Sequence, residues 1–548
     1  VGARSAFMRR FIQRLLALLT DLVRPNLAAF TREREPMIWV TSLVVGILAG
    51  AASVAFRAGI NAAQLPWLGT MSERVASVAG TIPWPIVLLA PAVGGLIVGI
   101  LLNFVPGRRG GGPADVIEAE AFDPHRLGLR NGLLGALASA ITLGSGGSAG
   151  REGPVIHLGG TIAAVLTRRF ELPAAGGRVL LGAGVAAAIA ASFNAPIAGA
   201  LFALEVIHRR ISVVMLPPIV IASAAGAVIG RIAFGEFPAF TIPEHRIISY
   251  WEFPAFALLG VVAAAVAIFF QLAVMSADWA LRGLVLPLWL KPVLGGLCVG
   301  ALGVFFPEIL GVGYETMEAA LTQSLPLGLL VGLVFLKTAA TAITLGSRLA
   351  GGIFSPTLYL GAMAGAAYGI LAARAFPDLA SSNAVYAILG MGAVAAAVLG
   401  APISTTVMVF EMTGGYAMSI ALLLTVSVAS SLTRAFLGRS FFQWQLASRG
   451  LFLDQEPHPR PEGDLRVGRL MRPMRPGESA EAYAGSVLTT ADSLEEALRA
   501  FDACGLERLP VVRAQDTDRI LGMVDQADVL RILNAAPVKS AGEERRER

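Results

Sequence analysis

Gly150, Arg151, Glu152, Gly153 and Pro154 place an ionisable carboxylate at a glycine-led break that opens a helical pattern inside an apolar stretch. A carboxylate at membrane depth is costly to keep and is by default a functional group. Ionised, it is a tethered anion that can occupy a site meant for a free one. Burial and a nearby halide both disfavour its charge, so protonation near neutral pH releases it and anion flux becomes pH-sensitive. The plainer reading pairs it permanently with Arg151, but consecutive residues at a helix start diverge in direction. A second break, Gly352, Ile353, Phe354, Ser355, Pro356, opens another helix and carries Phe354 where the first has Glu152. A third, Gly110, Gly111, Gly112, Pro113, leads into a helical pattern ahead of Asp115, though a glycine run alone reads equally as a flexible loop. Helix starts aimed at a common centre present free N–H groups and the positive end of the peptide dipoles, a pocket that suits a small anion without any basic side chain.

Other polar residues have two readings each. His157, five residues past Glu152, is a proton relay or a polar residue packed on the second turn of its helix, where the second break has Tyr359; packing is the better-supported reading. Glu205 and Glu411 are structural anchors or proton-path residues, with anchoring preferred. Gly146, Ser148 and Gly150 spell a nucleophile-elbow pattern with His157 downstream as a base. That elbow needs a strand before the turn, a membrane helix precedes it here, and the second copy has Ala350 at Ser148, so the chain reads as a non-enzyme.

These breaks sit in a chain of 548 residues, 55% hydrophobic and 15% charged, with 61 glycines and a mean hydropathy of +0.68. That is too apolar for a soluble globule and reads as a polytopic membrane protein. Fewer than about one residue in ten is charged over 37–450, against roughly one in three beyond 455, so a soluble region follows a membrane region. Many apolar runs are shorter than the roughly 20 residues of a spanning helix, and broken helices are tolerated at depth only where they line a cavity or are buried in protein. Arginines crowd the first 34 residues, a flank that reads as a cytoplasmic segment lying along the membrane surface rather than as a signal peptide or a nucleic-acid patch. Cys298 and Cys504 fall in different regions and read as unpaired; no disulfide, metal site or cofactor is expected.

An internal repeat organises the membrane region. Leu143, Gly144, Ser145, Gly150, Pro154, Leu158 and Gly159 align without a gap with Leu345, Gly346, Ser347, Gly352, Pro356, Leu360 and Gly361. Ala195, Pro196, Ile197 and Glu205 likewise match Ala401, Pro402, Ile403 and Glu411. Two such halves imply inverted repeats meeting near the bilayer midplane, with an even number of crossings and both termini cytoplasmic. From 464 the pattern is helix, turn, strand, then strand, turn, helix: a small α/β module.

GREGP at Gly150 to Pro154 and GIFSP at Gly352 to Pro356 resemble the chloride channel (CLC) family of anion channels and proton-coupled anion exchangers, over about residues 37 to 450. The resemblance implies an all-α inverted repeat of tilted, broken helices and a homodimer with one pore per subunit. It makes Glu152 the gate, and Gly111, Gly112, Arg151, Gly153, Ile353, Phe354 and Phe442 the surroundings of chloride or another small anion. Three positions depart from the family pattern. Gly111 stands where the family has a serine hydroxyl, Phe442 where it has a tyrosine, and Val206 where exchangers carry an inner glutamate. The two missing hydroxyls imply weak anion binding, which is hard to reconcile with tight proton coupling. A passive, voltage- or pH-gated channel is therefore the preferred expectation and a proton-coupled antiporter the alternative, since some exchangers dispense with that glutamate. The tail resembles a single cystathionine-beta-synthase-type (CBS) domain, paired across the dimer. Its final motif carries Asp525 where nucleotide-binding members have threonine, ahead of Asp528, and the added charge argues against a nucleotide.

The expected division is 1–36 cytoplasmic or interfacial, 37–450 transport, 451–463 linker, 464–536 CBS-type and 537–548 a disordered charged tail. High Ala, Gly and Arg with scarce Lys point to a bacterial inner membrane, with lipid as the surrounding partner and no nucleic acid.

Overall fold

The computed structural model describes residues 35–235, 247, 249–413, 418–453, 467–472, 487–490, 492, 494–513 and 516–530. The chain divides into two compact units, Val1–Leu451 and Phe452–Arg548. The arginine-rich flank, most of the expected linker and the charged tail lie outside the described residues.

The first unit is built of helices: α1 (Glu35–Leu68), α2 (Val75–Ala79), α3 (Trp84–Leu101), α4 (Pro113–Phe122), α5 (Leu129–Gly144), α6 (Glu152–Arg169), α7 (Ala174–Phe193), α8 (Pro196–Phe202) running into a π turn (Ala203–Ile207), α9 (Leu216–Phe234), α10 (Phe253–Gly283), α11 (Leu290–Phe305), α12 (Tyr314–Leu321), α13 (Leu327–Gly346), α14 (Phe354–Ala375), α15 (Asn383–Leu399), α16 (Pro402–Thr413), α17 (Ser419–Leu437) and α18 (Phe441–Ala447). Among the described residues eight helices are long and apolar enough to cross a membrane. At ~1.5 Å per residue the 34 residues of α1 reach about 51 Å, long enough to cross a ~30 Å hydrocarbon core with room for tilt. Large apolar side chains stand exposed along the outer helices, among them Ile232, Trp279, Phe305 and Phe436, which suits a lipid surround.

Two halves repeat the same construction, as the aligned motifs imply. Helix α7 ends on Asn194 and α15 on Gly400, both left-handed, and in each half an Ala-Pro pair then opens the next helix. The left-handed residue stops the helix and the proline restarts it at a position where no N–H is needed. Helices α6 and α7 cross where Gly159 meets Gly184: a Cβ on either would stand 2.4 or 2.3 Å from the other's carbonyl oxygen. Gly361 of α14 and Gly390 of α15 meet in the same way, at 2.2 and 2.3 Å. Without hydrophobic contrast between helix and lipid, such close backbone approach is a principal source of helix adhesion. The halves are also laced to each other by exchanged bonds. Thr142 Oγ1 accepts from the Ala350 N–H at 3.1 Å, and Thr344 Oγ1 from the Ser148 N–H at 3.2 Å.

The second unit holds β1 (Leu488–Thr489), α19 (Leu494–Cys504), β2 (Arg508–Arg513) and β3 (Asp516–Asp525). Strand β2 is central, parallel to β1 and antiparallel to β3, with Val511 opposite Gly522. Leu494, Ala497 and Phe501 on α19 close over Leu509, Val511 and Val524, the period-3.6 face of a helix on the period-2 face of a sheet. This is a small α/β unit.

Candidate functional site

The first and second breaks are bound to each other. Gly150 N–H donates to Gly352 O at 2.6 Å and Gly352 N–H to Gly150 O at 2.7 Å, an antiparallel bridge between repeat mates. A Cβ at Gly352 would lie 2.8 Å from the Gly153 nitrogen, which requires glycine there, and one at Gly150 would crowd Glu152 Oε2 at 2.7 Å and the Ser355 nitrogen at 3.0 Å. The bridge sets the starts of α6 and α14 side by side.

Glu152 leaves its own helix and serves the other one. Its carboxylate, 1% exposed, accepts from the Ser355 N–H at 3.2 Å and from the Ser355 hydroxyl in a short bond. Tyr314 Oη, at the start of α12, donates to it at 3.1 Å. The carboxyl group therefore sits in the first turn of α14, where unpaired N–H groups and the dipole favour an anion. The first bond inside that helix runs from Thr357 N–H to Ile353 O, so the N–H groups of Ile353 and Phe354 lie ahead of it. The Phe354 ring packs between Phe193 and Phe202, with centroids 5.2 and 6.2 Å away, and is thereby fixed among the ends of α7 and α8.

Near the two helix starts lies a cavity of about 260 Å³ to which all three breaks contribute backbone, though the Glu152 side chain does not line it: Gly110, Gly111, Gly112 and Pro113; Gly153; and Gly351 to Phe354. Phe442 of α18, 4% exposed, lines it too. Gly111, Gly112, Gly153, Ile353, Phe354 and Phe442 thus share one space. Arg151 does not reach it. Its guanidinium points to Glu73 at 3.3 Å and to Ser192 O at 3.4 Å, lies 4.6 Å from the centre of the Tyr314 ring, and comes within only 3.9 Å of Glu152. It lines separate spaces with Arg57, Glu73 and Tyr314. Burial pushes the Glu73 carboxyl up, but Arg151 and Arg57 together outweigh it and hold the group below the ordinary carboxylate range.

The structure adds residues that the motifs do not single out. Tyr314 is one. The cavity wall also carries Arg109, Arg282, Arg348 and Arg449 against Asp115 and Asp278, an excess of basic charge suited to a small anion. Arg109 and Arg449 both hold Asp115, at 2.6 and 3.1 Å. Arg109 directly precedes the triple glycine and Arg348 lies within the repeat motif, so both had a local signal; Arg282 and Arg449 arrive from distant helices and had none.

The voltage gated chloride channel family model matches residues 94–434, more than half of the chain. The chain belongs to this family. A ClcB-like chloride channel protein of Ralstonia nicotianae is 32% identical over 70% of this chain and 90% of its own length. The voltage-gated ClC-type chloride channel ClcB of Escherichia coli is 31% identical over 74% of this chain and 97% of its own. Among solved structures, that of a slow cyanobacterial Cl-/H+ antiporter superposes with a TM-score of 0.67 at 26% identity, over 75% of this chain and 97% of that one. The structure of a CLC-type fluoride/proton antiporter does so with a TM-score of 0.63 at 23% identity, covering 75% and 98%, a likeness of fold.

Other residues of this CLC chain fall into place around that frame. Glu205 accepts from the Ile403 and Ser404 N–H groups at 3.0 and 2.7 Å, and Glu411 from Ile197 and Ala198 at 3.0 and 2.7 Å: each half caps a helix of the other. Both glutamates are positioned as anchors. Val206 is buried in the π turn beside Glu205. Ser148 follows α5, not a strand, and its hydroxyl meets that of Thr341 at 3.2 Å. His157 is not its partner; the imidazole packs against Gly111. In the second unit Asp528 is paired with Arg472 at 2.5 Å and Asp525 with Arg508.

Proposed function

We propose that this CLC protein passes chloride or a similar small anion down its gradient, with the Glu152 carboxylate as gate. The single observation that carries the reading is that Glu152 occupies the first turn of α14, the helix whose starting residues Ile353 and Phe354 line the basic cavity. A free anion wanting the same N–H groups must displace that carboxylate, and protonation or competition by the anion frees the place. Channel behaviour is favoured over coupled exchange by Val206, which cannot carry a proton, and by Phe442, which has no hydroxyl to add to anion binding. Proton-coupled antiport is the second reading, favoured by the likeness to the slow cyanobacterial antiporter.

The chain acts in this reading as a homodimer in a bacterial inner membrane, one pore per subunit, termini cytoplasmic and CBS-type units paired. Arg472 already engages Asp528, the acid that a ribose would need, which speaks against a nucleotide there.

Chloride efflux from proteoliposomes, with a pH electrode in the bath and no proton gradient, tests this. Chloride efflux without proton movement is the expected result; proton movement in fixed proportion to chloride establishes the antiporter. Glu152→Gln raises flux and flattens its pH dependence, and an unaltered pH profile removes Glu152 from the gate.

A further inference from the structure

Gly111 leaves a hole in the anion pathway's side-chain chemistry, and another residue fills the space. A Cβ built on Gly111 would stand 2.4 Å from both Cε1 and Nδ1 of His157 and 2.6 Å from its Cγ. No side chain at 111 is compatible with the imidazole where it is. The histidine is 6% exposed, and its backbone oxygen accepts from Thr161 Oγ1 at 2.8 Å, yet its ring nitrogens have no hydrogen-bond partner among the described residues. The ring borders open space, where a ligand can come to it.

Its surroundings say what that is. His157 faces a cavity of about 190 Å³ lined also by Gly110, Gly111, Arg109, Asp115, Glu118 and Arg126. Four of these residues, Arg109, Gly110, Gly111 and Asp115, also line the larger cavity, so the two spaces share the Gly111 turn on which the imidazole packs; His157 itself lines the smaller one. Asp115 is held by Arg109 and Arg449, and Glu118 by Arg126 at 2.6 Å and Arg449 at 3.4 Å. Three guanidiniums thus answer two carboxylates before the histidine takes a proton, and Asn131 completes the wall without charge. The place attracts an anion rather than a cation.

We propose that His157 is the side-chain ligand of the permeating anion at the Gly111 turn, replacing a side chain at 111, and that its protonation adds to anion occupancy there independently of Glu152. This rests on the anion-pathway reading above. A neutral imidazole offers one N–H to a halide; the imidazolium offers an N–H and a charge.

The test uses the full-length protein with Glu152→Gln in place, so that the gate neither competes nor titrates. Chloride binding in detergent is followed by isothermal titration calorimetry, and flux in proteoliposomes. Adding His157→Ala should raise the chloride dissociation constant about tenfold, the loss expected for one hydrogen bond to a charged partner. Gly111→Ser together with His157→Ala should restore binding to within about threefold, whereas Gly111→Ser with His157 present should abolish it through the clash. Should the alanine variant fail to fold, His157→Gln keeps a donor without a titrating group: it should bind chloride and lose the remaining pH dependence. Binding and pH profile indifferent to both His157 substitutions would overturn the inference alone. A Glu152→Gln parent that neither binds nor moves chloride would overturn the transport reading with it.

Discussion

The two halves of the membrane unit differ far less in scaffold than in chemistry. Each has a glycine break opening a long helix, a glycine crossing behind it, a left-handed stop, an Ala-Pro restart and a glutamate cap lent to the other half. At the centre the correspondence ends. Glu152 faces across to Ser355, while its mate Phe354 is packed between Phe193 and Phe202. His157 packs over Gly111 with no hydrogen bond to its ring among the described residues, while its mate Tyr359 packs on Gly313 and donates to Glu308 O at 3.3 Å. Symmetry builds the pocket, and a few broken equivalences make it work: a symmetric site would carry two carboxylates with no free helix start for either.

If the scaffold is truly shared, mates must fail alike. Gly159→Val and Gly361→Val each drive a side chain into a backbone carbonyl, so each should cost ~3 kcal/mol or more and greatly reduce the yield of folded protein; size-exclusion of the detergent-solubilised variants would show a marked difference between them if the halves are not equivalent. The next effect belongs to one half only. Tyr314→Phe removes a donor from Glu152, loosens the gate and should raise chloride flux at neutral pH about threefold to tenfold, which an efflux assay reads directly.

Smaller effects follow from the caps. Glu205→Gln and Glu411→Gln should each lower stability by about 1 kcal/mol and by similar amounts, while leaving any proton-to-chloride ratio unchanged. Thermal unfolding with a flux measurement would expose a proton-path role for either. Glu73→Gln sharpens the outer boundary of the asymmetric region. Because Glu73 is held below its ordinary value of 4.5, its ionised form stabilises the fold above that pH and the contribution fades as pH falls through the depressed value. The variant should therefore melt a few degrees below the parent at pH 7, with the gap closing below pH 4.5. Smallest of all, ATP added to the full chain should leave its melting temperature unmoved; a rise would reopen the nucleotide reading of Asp525 and Asp528.

Much of the fold was legible because it is written locally. Hydropathy, the breaks and the gapless repeat gave the helical membrane unit, the two halves and the helix starts, all within short windows around Gly111, Glu152 and Phe354. What escaped was contact between distant windows. Ser355 and Tyr314 come to Glu152 across 203 and 162 residues, and Arg449 to Asp115 across 334. No periodicity encodes such meetings. Arg151 shows the reverse failure: its motif put it with the anion ligands, but an unforeseen carboxylate, Glu73, draws the guanidinium to another side of the helix start. His157 was legible as a packed residue, but not as one packed on the glycine that replaces a serine.

The exchanged caps also set an order of events during synthesis. Glu205 meets the amides it binds only after another 198 residues have been added, and its mate Glu411 binds back across 214. Until then the nascent first half carries, at the two ends of the short stretch from Pro196 to Ile207, an open pair of amides and an unsatisfied carboxylate. It has every reason to stay with whatever inserts it. The second half is thus the first one's folding partner as well as its likeness, and a chain interrupted between them would leave two fragments, each displaying the groups that the other was made to cover.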